Sequence, residues 1–205
     1  MGSELVVVRH GQSTWNVDHR FTGQADPPLS DLGREQAVAL ALGCAGEGFD
    51  AVVTSDLVRA FETGSIVAGR LGRPDPVRVP ELRERWNRTL TGLARDRIEA
   101  DYPGQLAAWR EARPITVPGA HEPLDGFVER VSRGLLVAAR HGDRVLVVAH
   151  AGVFVALGAL AGGASTTEVA NAEGRRVAVH DDGTIEVGGS FHLAPGTTRT
   201  GECDP

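Results

Sequence analysis

The chain of 205 residues contains no lysine; all 21 of its basic side chains are arginines. That absence removes whole reaction classes. A Schiff-base enzyme needs an amine nucleophile, and a Walker-type nucleotide phosphotransferase needs an ammonium on its phosphates. With 26 glycines and abundant alanine, the gap also fits a GC-rich coding sequence; the chemical exclusion holds under either cause. Cysteine is scarce as well. Cys44 and Cys203 lie far apart, with no CxxC or His-rich companion, so they read as free thiols in a reducing compartment. Basic excess is missing too. A formal net charge of -6, from 27 acids against 21 arginines, argues against a sequence-independent nucleic-acid binder. It leaves an anionic substrate open, because a local arginine cluster sets the field inside a cleft. No apolar run reaches membrane-spanning length, and Met1 to Val8 is too short and too acidic for a signal peptide. The expectation is a soluble cytoplasmic protein with neither nucleic-acid nor membrane partner, a monomer or homodimer.

What is present is an ordinary globular composition, 41% hydrophobic and 23% charged, in a chain long enough to bury a core without disulfides. Leu5 to Val8 is a continuous apolar, β-branched run, the pattern of a strand buried on both faces. After the turn at Pro27-Pro28, Ser30 offers an N-cap to a helix carrying Leu32, Gln36, Val38, Ala39 and Leu42, with Gly43 as its stop. Ala51 to Thr54 predicts a second strand, and Ser55 caps a helix from Asp56 to about Leu71. Val77 and Val79, between Pro76 and Pro80, predict a third strand; Val145 to Ala149 predicts a fourth, followed by a helix over Val153 to Leu160. Val177 to Val179 and Thr184 to Val187 flank Asp181-Asp182-Gly183, a hairpin-type turn.

Strands alternating with helices imply an α/β fold, a three-layer α/β/α sandwich with a mostly parallel sheet. Residues 83 to 140 break the rhythm. They are polar and arginine-rich, helical around Arg95–Arg110 and Pro123–Arg140, and read as an insertion over the active-site edge of one domain spanning 1–192. Residues 193–205, rich in Gly, Thr and Pro, read as a flexible tail.

In open α/β sheets, ligands bind beyond the carboxyl ends of the strands. Those ends carry Arg9-His10-Gly11, Thr54-Ser55 with Arg59 a helical turn later, Glu81-Leu82-Arg83-Glu84-Arg85, and His150 followed by Gly152. Singly, each has a plain explanation: a hydrogen-bonded loop histidine, a surface helix arginine, a solvated carboxylate. Together they meet the demands of phosphoryl transfer. Forked guanidiniums match the spread charge of its transition state. An imidazole nitrogen can attack phosphorus, and neighbouring guanidiniums keep that imidazole neutral.

Arg9-His10-Gly11-Gln12-Ser13-Thr14-Trp15-Asn16 resembles the RHG signature of the histidine phosphatase superfamily, the phosphoglycerate-mutase-like proteins. The resemblance continues in order through Phe21-Thr22-Gly23-Gln24 and Pro28-Leu29-Ser30 with Gly33 and Ala37. It then passes through Thr54-Ser55-Asp56-Leu57 with Arg59, Ala60 and Thr63, and Leu82-Arg83-Glu84-Arg85 with Gly92-Leu93. It ends on Val147-Val148-Ala149-His150-Ala151-Gly152, covering about residues 4 to 187. It implies His10 as a nucleophile that becomes phosphohistidine, with Arg9, Arg59 and His150 holding phosphoryl oxygens and Glu84 as general acid, then base. Asn16, Thr22 and Gly23 match pocket-lining positions, and no metal or cofactor is implied.

Ala120-His121-Glu122-Pro123 stands where many relatives have Gly-Gly-Glu-Ser, with a family-like Arg130 following. His121 is therefore either a substrate contact or a plain loop residue before a helix with Pro123 in its first turn. Arg85 and Trp86, next to Glu84, are candidate substrate contacts, and Trp86 and Phe21 either wall an apolar part of the pocket or belong to the core. The expected activity is metal-independent hydrolysis of a small-molecule phosphomonoester. A phosphomutase is the alternative, disfavoured because Arg88, Arg95, Arg97, Arg110 and Arg113 include no adjacent pair. A phosphoprotein phosphatase or a non-catalytic phosphate binder ranks lower.

Overall fold

Leu5, Val6, Val7 and Val8 are all at 1% exposure or less, so the first strand has no solvent face and lies at the centre of a sheet. The computed structural model describes residues 2–162, 169 and 173–192; the tail expected at 193–205 lies outside the described residues. In chain order the elements are β1 (Ser3–Arg9), α1 (Thr14–Val17), α2 (Asp31–Gly43), β2 (Ala51–Thr54), α3 (Val58–Arg70) and β3 (Val77–Arg78). There follow α4 (Arg95–Asp101), α5 (Gln105–Arg110), α6 (Leu124–Ala139), β4 (Arg144–Ala149), α7 (Ala151–Leu160), β5 (Glu173–Val179) and β6 (Ile185–His192). Among the described residues the strands form one six-stranded sheet in the order β3-β2-β4-β1-β5-β6. The β1–β4, β2–β4 and β2–β3 pairs are parallel; β1–β5 and β5–β6 are antiparallel.

Alternation of side chains along the strands divides the core into two layers. Leu5, Val7, Val53, Val145 and Val147 pack with Phe127, Val131 and Leu135 of α6 and Phe154 and Leu157 of α7. Val6, Val8, Val52, Leu146 and Val148 pack on the other face, with Leu40 and Ala41 of α2 and Ala60 and Val67 of α3. The expected three-layer α/β/α sandwich is the architecture found. A third, smaller cluster of Leu90, Ile98 and Val117, with Phe21, Leu93, Tyr102 and Leu106 against it, holds α4 and α5 together.

Several boundaries differ from the sequence expectations. The inward face of α2 is Gly33, Ala37, Leu40 and Ala41, whereas Leu32 and Leu42 are 49% and 61% exposed. Small residues win that face because the helix start lies backbone against backbone on the loop after β1: a Cβ on Gly33 would overlap the Gln12 carbonyl, and one on Gly11 the Gly33 carbonyl. Ser30 does cap α2, its hydroxyl accepting from Gly33 N at 3.0 Å. Ser55 does not cap α3. Its hydroxyl accepts from Leu57 N (3.3 Å) within the preceding turn, and α3 begins at Val58, whose N–H is taken by the distant carboxylate of Asp26 (2.6 Å). The third strand is only Val77–Arg78, because Pro80 has no N–H to continue the pairing. The interruption from 83 to 140 is also not uniform. Its sixteen-residue helix α6 presents Phe127, Val131 and Leu135 at helical spacing to the sheet and belongs to the sandwich; each such burial stabilises by roughly 1.5–3 kcal/mol. Only the part before α6 overhangs the sheet edge.

The Gly33 contact makes a two-sided prediction. Gly33→Ala should destabilise by about 1–3 kcal/mol through overpacking against backbone that cannot retreat. Gly126→Ala, in the exposed first turn of α6 with nothing within 4 Å of the new methyl, should stabilise by roughly 0.5–1 kcal/mol. Urea midpoints of the two variants should therefore move in opposite directions.

Candidate functional site

The parallel pairing of β1 with β4 aligns Arg9 with Ala149, so the residues that follow, His10 and His150, emerge side by side. His10 N donates to Ala149 O (3.0 Å), and the two imidazoles meet edge to face with centroids 5.1 Å apart. Thr54 aligns with Val148 on the other side of β4, and the turn after β2 delivers Arg59 from the first turn of α3. Arg9, His10, Arg59 and His150 are 6%, 4%, 1% and 0% exposed. Four groups able to carry positive charge are thus gathered out of water at one sheet edge.

Their hydrogen bonds decide which atoms are available. His10 Nδ1 lies 2.6 Å from Gly11 O; a carbonyl only accepts, so Nδ1 carries the hydrogen and Nε2 keeps its lone pair in the neutral ring. Arg59 Nε donates to that Nε2 at 3.1 Å. Its other nitrogens donate to Ala25 O (2.8 Å) and Gly23 O (2.9 Å). Arg59 is thus held by backbone carbonyls and an imidazole, with no carboxylate bonded to it. Burial, and then Arg9, lower its pKa to about 10, with Glu84 and Asp26 opposing from a distance; it remains a cation at neutral pH. Burial first, then Arg59 and Arg9, hold His10 well below the ordinary histidine value, against the opposing pull of the Gly11 carbonyl. His150 is lowered in the same direction by burial, then by Arg59, His10, Arg9 and Arg130. Both ring nitrogens of His150 are buried without a hydrogen-bond partner among the described residues. Arg9 Nη1 donates to Val169 O (2.9 Å).

Glu84 reaches the same place from the loop after a 3-10 turn at Pro80–Leu82. Its carboxylate accepts from Gly152 N (3.1 Å) and Arg85 N (2.7 Å). A Cβ at 152 would occupy the position of Glu84 Oε1 and displace the carboxylate. The glycine after the second histidine is therefore a seat for the carboxylate.

Arg9, His10, Asn16, Thr22, Gly23, Arg59 and Glu84 line a single cavity of about 120 Å³. The oxygen of Asn16 is committed to Ser13 N and Oγ (both 2.9 Å), so its side chain has only NH2 left to offer a ligand. The cavity also takes in Phe21, Leu106, Trp109 and Val155 as an apolar wall, and Arg95 and Arg110 as further cations. Leu106, Trp109 and Arg110 lie three and one residues apart on the short α5, an i, i+3, i+4 face legible as helical spacing but not as a pocket wall. Phe21 resolves as a cavity residue, stacked edge to face on Trp109 (5.4 Å).

Three expected contacts lie elsewhere. Arg85 is buried behind the wall, its guanidinium 4.1 Å from the Trp109 ring and its Nε donating to Glu122 O (3.0 Å). Trp86, next in sequence, is 36% exposed. His121 bridges to Asn87 in strand-like pairing, with its ring 3.4 Å from Gly119 O. None of the three lines the cavity, and neither does His150, which is fully buried beside His10. Among the described residues, no group of three or more His, Cys, Asp or Glu is arranged to hold a metal ion.

The lowered histidines carry a stability consequence. An unfolded histidine takes up its proton near pH 6.5, whereas folded His10 and His150 do so only at lower pH. Below about pH 6.5 the unfolded chain therefore binds more protons, and stability falls as pH drops through that value. The slope is up to about 1.4 kcal/mol per pH unit for each histidine. Urea unfolding between pH 7.5 and 5.5 should show this loss, and His150→Asn should remove about half of the slope.

Comparison with known proteins agrees with the geometry. Residues 5–185 match the model of the histidine phosphatase superfamily (branch 1). A metal-independent phosphoserine phosphatase of Arabidopsis thaliana is 36% identical over 159 residues, covering 76% of this chain and 67% of that protein. A 2,3-bisphosphoglycerate-dependent phosphoglycerate mutase of Methylocella silvestris is 40% identical over 155 residues, covering 71% and 75%. The fold superposes on a mycobacterial glucosyl-3-phosphoglycerate phosphatase, solved with VO3, at TM-score 0.74 and 34% identity over 90% of this chain and 96% of that one. The ordered motifs, the paired strand-end histidines and the match across residues 5–185 lead to one conclusion: this chain is a member of the histidine phosphatase superfamily, branch 1.

Proposed function

We propose that the chain is a metal-independent phosphatase that hydrolyses a small-molecule phosphomonoester through a phosphohistidine intermediate. The observation that carries this reading is the state of His10: Nδ1–H is tied to Gly11 O, which leaves Nε2 with its lone pair inside the cavity beside Arg59. In the first step the Nε2 lone pair forms the N–P bond as the P–O bond to the leaving group breaks. Arg9, Arg59 and His150 take the phosphoryl oxygens, and protonated Glu84 gives its proton to the departing oxygen. In the second step Glu84, now a carboxylate, takes a proton from water as that water attacks phosphorus. The N–P bond breaks and its electron pair returns to His10, leaving inorganic phosphate and a reprotonated Glu84.

The overhang of α4 and α5 supports a small substrate over a phosphoprotein, since Arg95, Leu106, Trp109 and Arg110 narrow the cavity from above. The same two arginines support a substrate with a second negatively charged group and some apolar surface. They also support a second reading, phosphomutase activity: Arg95 and Arg110 converge in space although no two arginines of the overhang adjoin in sequence. The phosphatase reading is preferred, with the mutase decided by assay.

With chelator present, the protein should release phosphate from p-nitrophenyl phosphate, and His10→Ala should lose at least about 10³-fold in rate. Glu84→Gln should cost an alkyl phosphate about 10²–10⁴-fold and the activated aryl ester much less, because nitrophenolate leaves without a proton. Arg110→Gln should raise KM for phosphomonoesters bearing a second acid, such as a phosphoglycerate, while barely changing KM for phenyl phosphate. Release and isomerisation assays across sugar phosphates, phosphoglycerates and nucleotides separate hydrolysis from mutase transfer.

A further inference from the structure

Glu84 sits in a loop that has no strand or helix of its own to hold it, yet its carboxylate must meet two backbone N–H groups at once. Below that loop lies Arg130, in the second turn of α6. Its guanidinium is fully used. Nη1 donates to Glu81 O (2.7 Å) and Arg83 O (3.0 Å); Nη2 donates to Glu84 O (3.3 Å) and to Glu122 Oε2 (2.8 Å); Nε donates to Glu122 Oε1 (2.7 Å). Glu122 extends the clamp, since its Oε2 also accepts from Trp86 N (3.3 Å) and its backbone carbonyl from Arg85 Nε. Arg130 and Glu122 are 17% and 18% exposed at their side chains, and neither lines the cavity.

We infer that the Arg130–Glu122 pair is a positioning device for the Glu84 carboxyl, setting its distance from the leaving oxygen without touching substrate. This rests on the reading of Glu84 as general acid and base. The geometry favours that role over a plain structural ion pair, because three of the five donated bonds go to backbone carbonyls on Glu84 itself or within three residues before it. α6 is anchored in the sandwich by Phe127, Val131 and Leu135, so the rigid layer is connected through one side chain to the reacting carboxyl. The other ties on the loop are weaker substitutes. Gln24 Nε2 shares the Glu84 carbonyl (2.9 Å), and the Arg83–Asp56 pair holds only the neighbouring residue, with its arginine 41% exposed. Lysine cannot replace Arg130, since a single ammonium cannot serve a bidentate carboxylate and converging carbonyls together.

The test compares Arg130→Lys, Glu122→Gln and Glu84→Gln with the parent on p-nitrophenyl phosphate and on an alkyl phosphate, together with thermal unfolding. Glu122→Gln keeps shape and size, so it covers the case in which Arg130→Lys fails to fold. A clamp that aims Glu84 predicts a kcat loss of about 10- to 100-fold on the alkyl ester in both clamp variants, since misplacement of about 1 Å costs that much. The loss on the aryl ester should be several-fold smaller, following the selectivity of Glu84→Gln. Equal losses on both esters, or none, beside a selective Glu84→Gln, would overturn the clamp and leave the acid role standing. An unselective Glu84→Gln would overturn the acid role, and the clamp with it.

Discussion

The constraint on which the rest of the site depends is the burial of the Arg59 guanidinium without a bonded carboxylate. Desolvating a cation is costly, and an adjoining carboxylate would offset that cost while cancelling the field. Here the guanidinium is held by the carbonyls of Gly23 and Ala25 and by His10 Nε2. Its acids, Glu84 and Asp26, act only from a distance. The positive potential is therefore not cancelled locally, and in the proposed reaction the phosphoryl group would supply the opposing negative charge. The same potential, added to burial, keeps His10 and His150 neutral, which is the protonation state a nucleophilic imidazole requires.

Holding such a cluster demands a scaffold that does not relax, and the surrounding contacts are of that kind. The loop after β1 rests backbone to backbone on the first turn of α2 through Gly11 and Gly33. Gly11 N donates to Thr63 Oγ1, which donates in turn to Arg59 O. The nucleophile's loop and the helix carrying Arg59 are thereby tied by one hydroxyl. Glu84 is seated on Gly152 N, beside His150, and held from below through Arg130. Arg59 and Glu84 are thus held in part by elements other than those that carry them.

The chain resembles both a phosphoserine phosphatase and a phosphoglycerate mutase, so under the proposed function the choice between hydrolysis and isomerisation rests on what surrounds the histidines and arginines. In this chain the distal part of the cavity is built from Phe21, Arg95, Leu106, Trp109 and Arg110. All of them come from the first loop and the α4–α5 overhang, which share the small core of Leu90, Ile98 and Val117. Under the proposed function, substrate choice would be separated physically from phosphoryl chemistry.

The α/β class, the strand-end histidines and arginines and the order of motifs were legible in the sequence, because buried parallel strands write themselves as unbroken apolar runs and the residues following them stand next to those runs. Arg9, His10 and His150 stand directly at the ends of such runs; Arg59 and Glu84 lie farther along the chain, and the roles expected of all five came from the resemblance carried by the ordered motifs. Other features depended on distant partners and had no local signal. The N-terminus of α3 is satisfied by Asp26 rather than Ser55, and the start of the inward face of α2 is set by the close approach of Gly33 to the Gln12 backbone. Arg85 and Trp86 follow Glu84 in sequence and His121 sits in a separate loop, yet none of the three lines the cavity. Arg95 and Arg110 are fifteen positions apart yet line one wall. Local pattern determined the fold class and picked out the strand-end histidines and arginines; only long-range packing decided which remaining side chains line the cavity beside them.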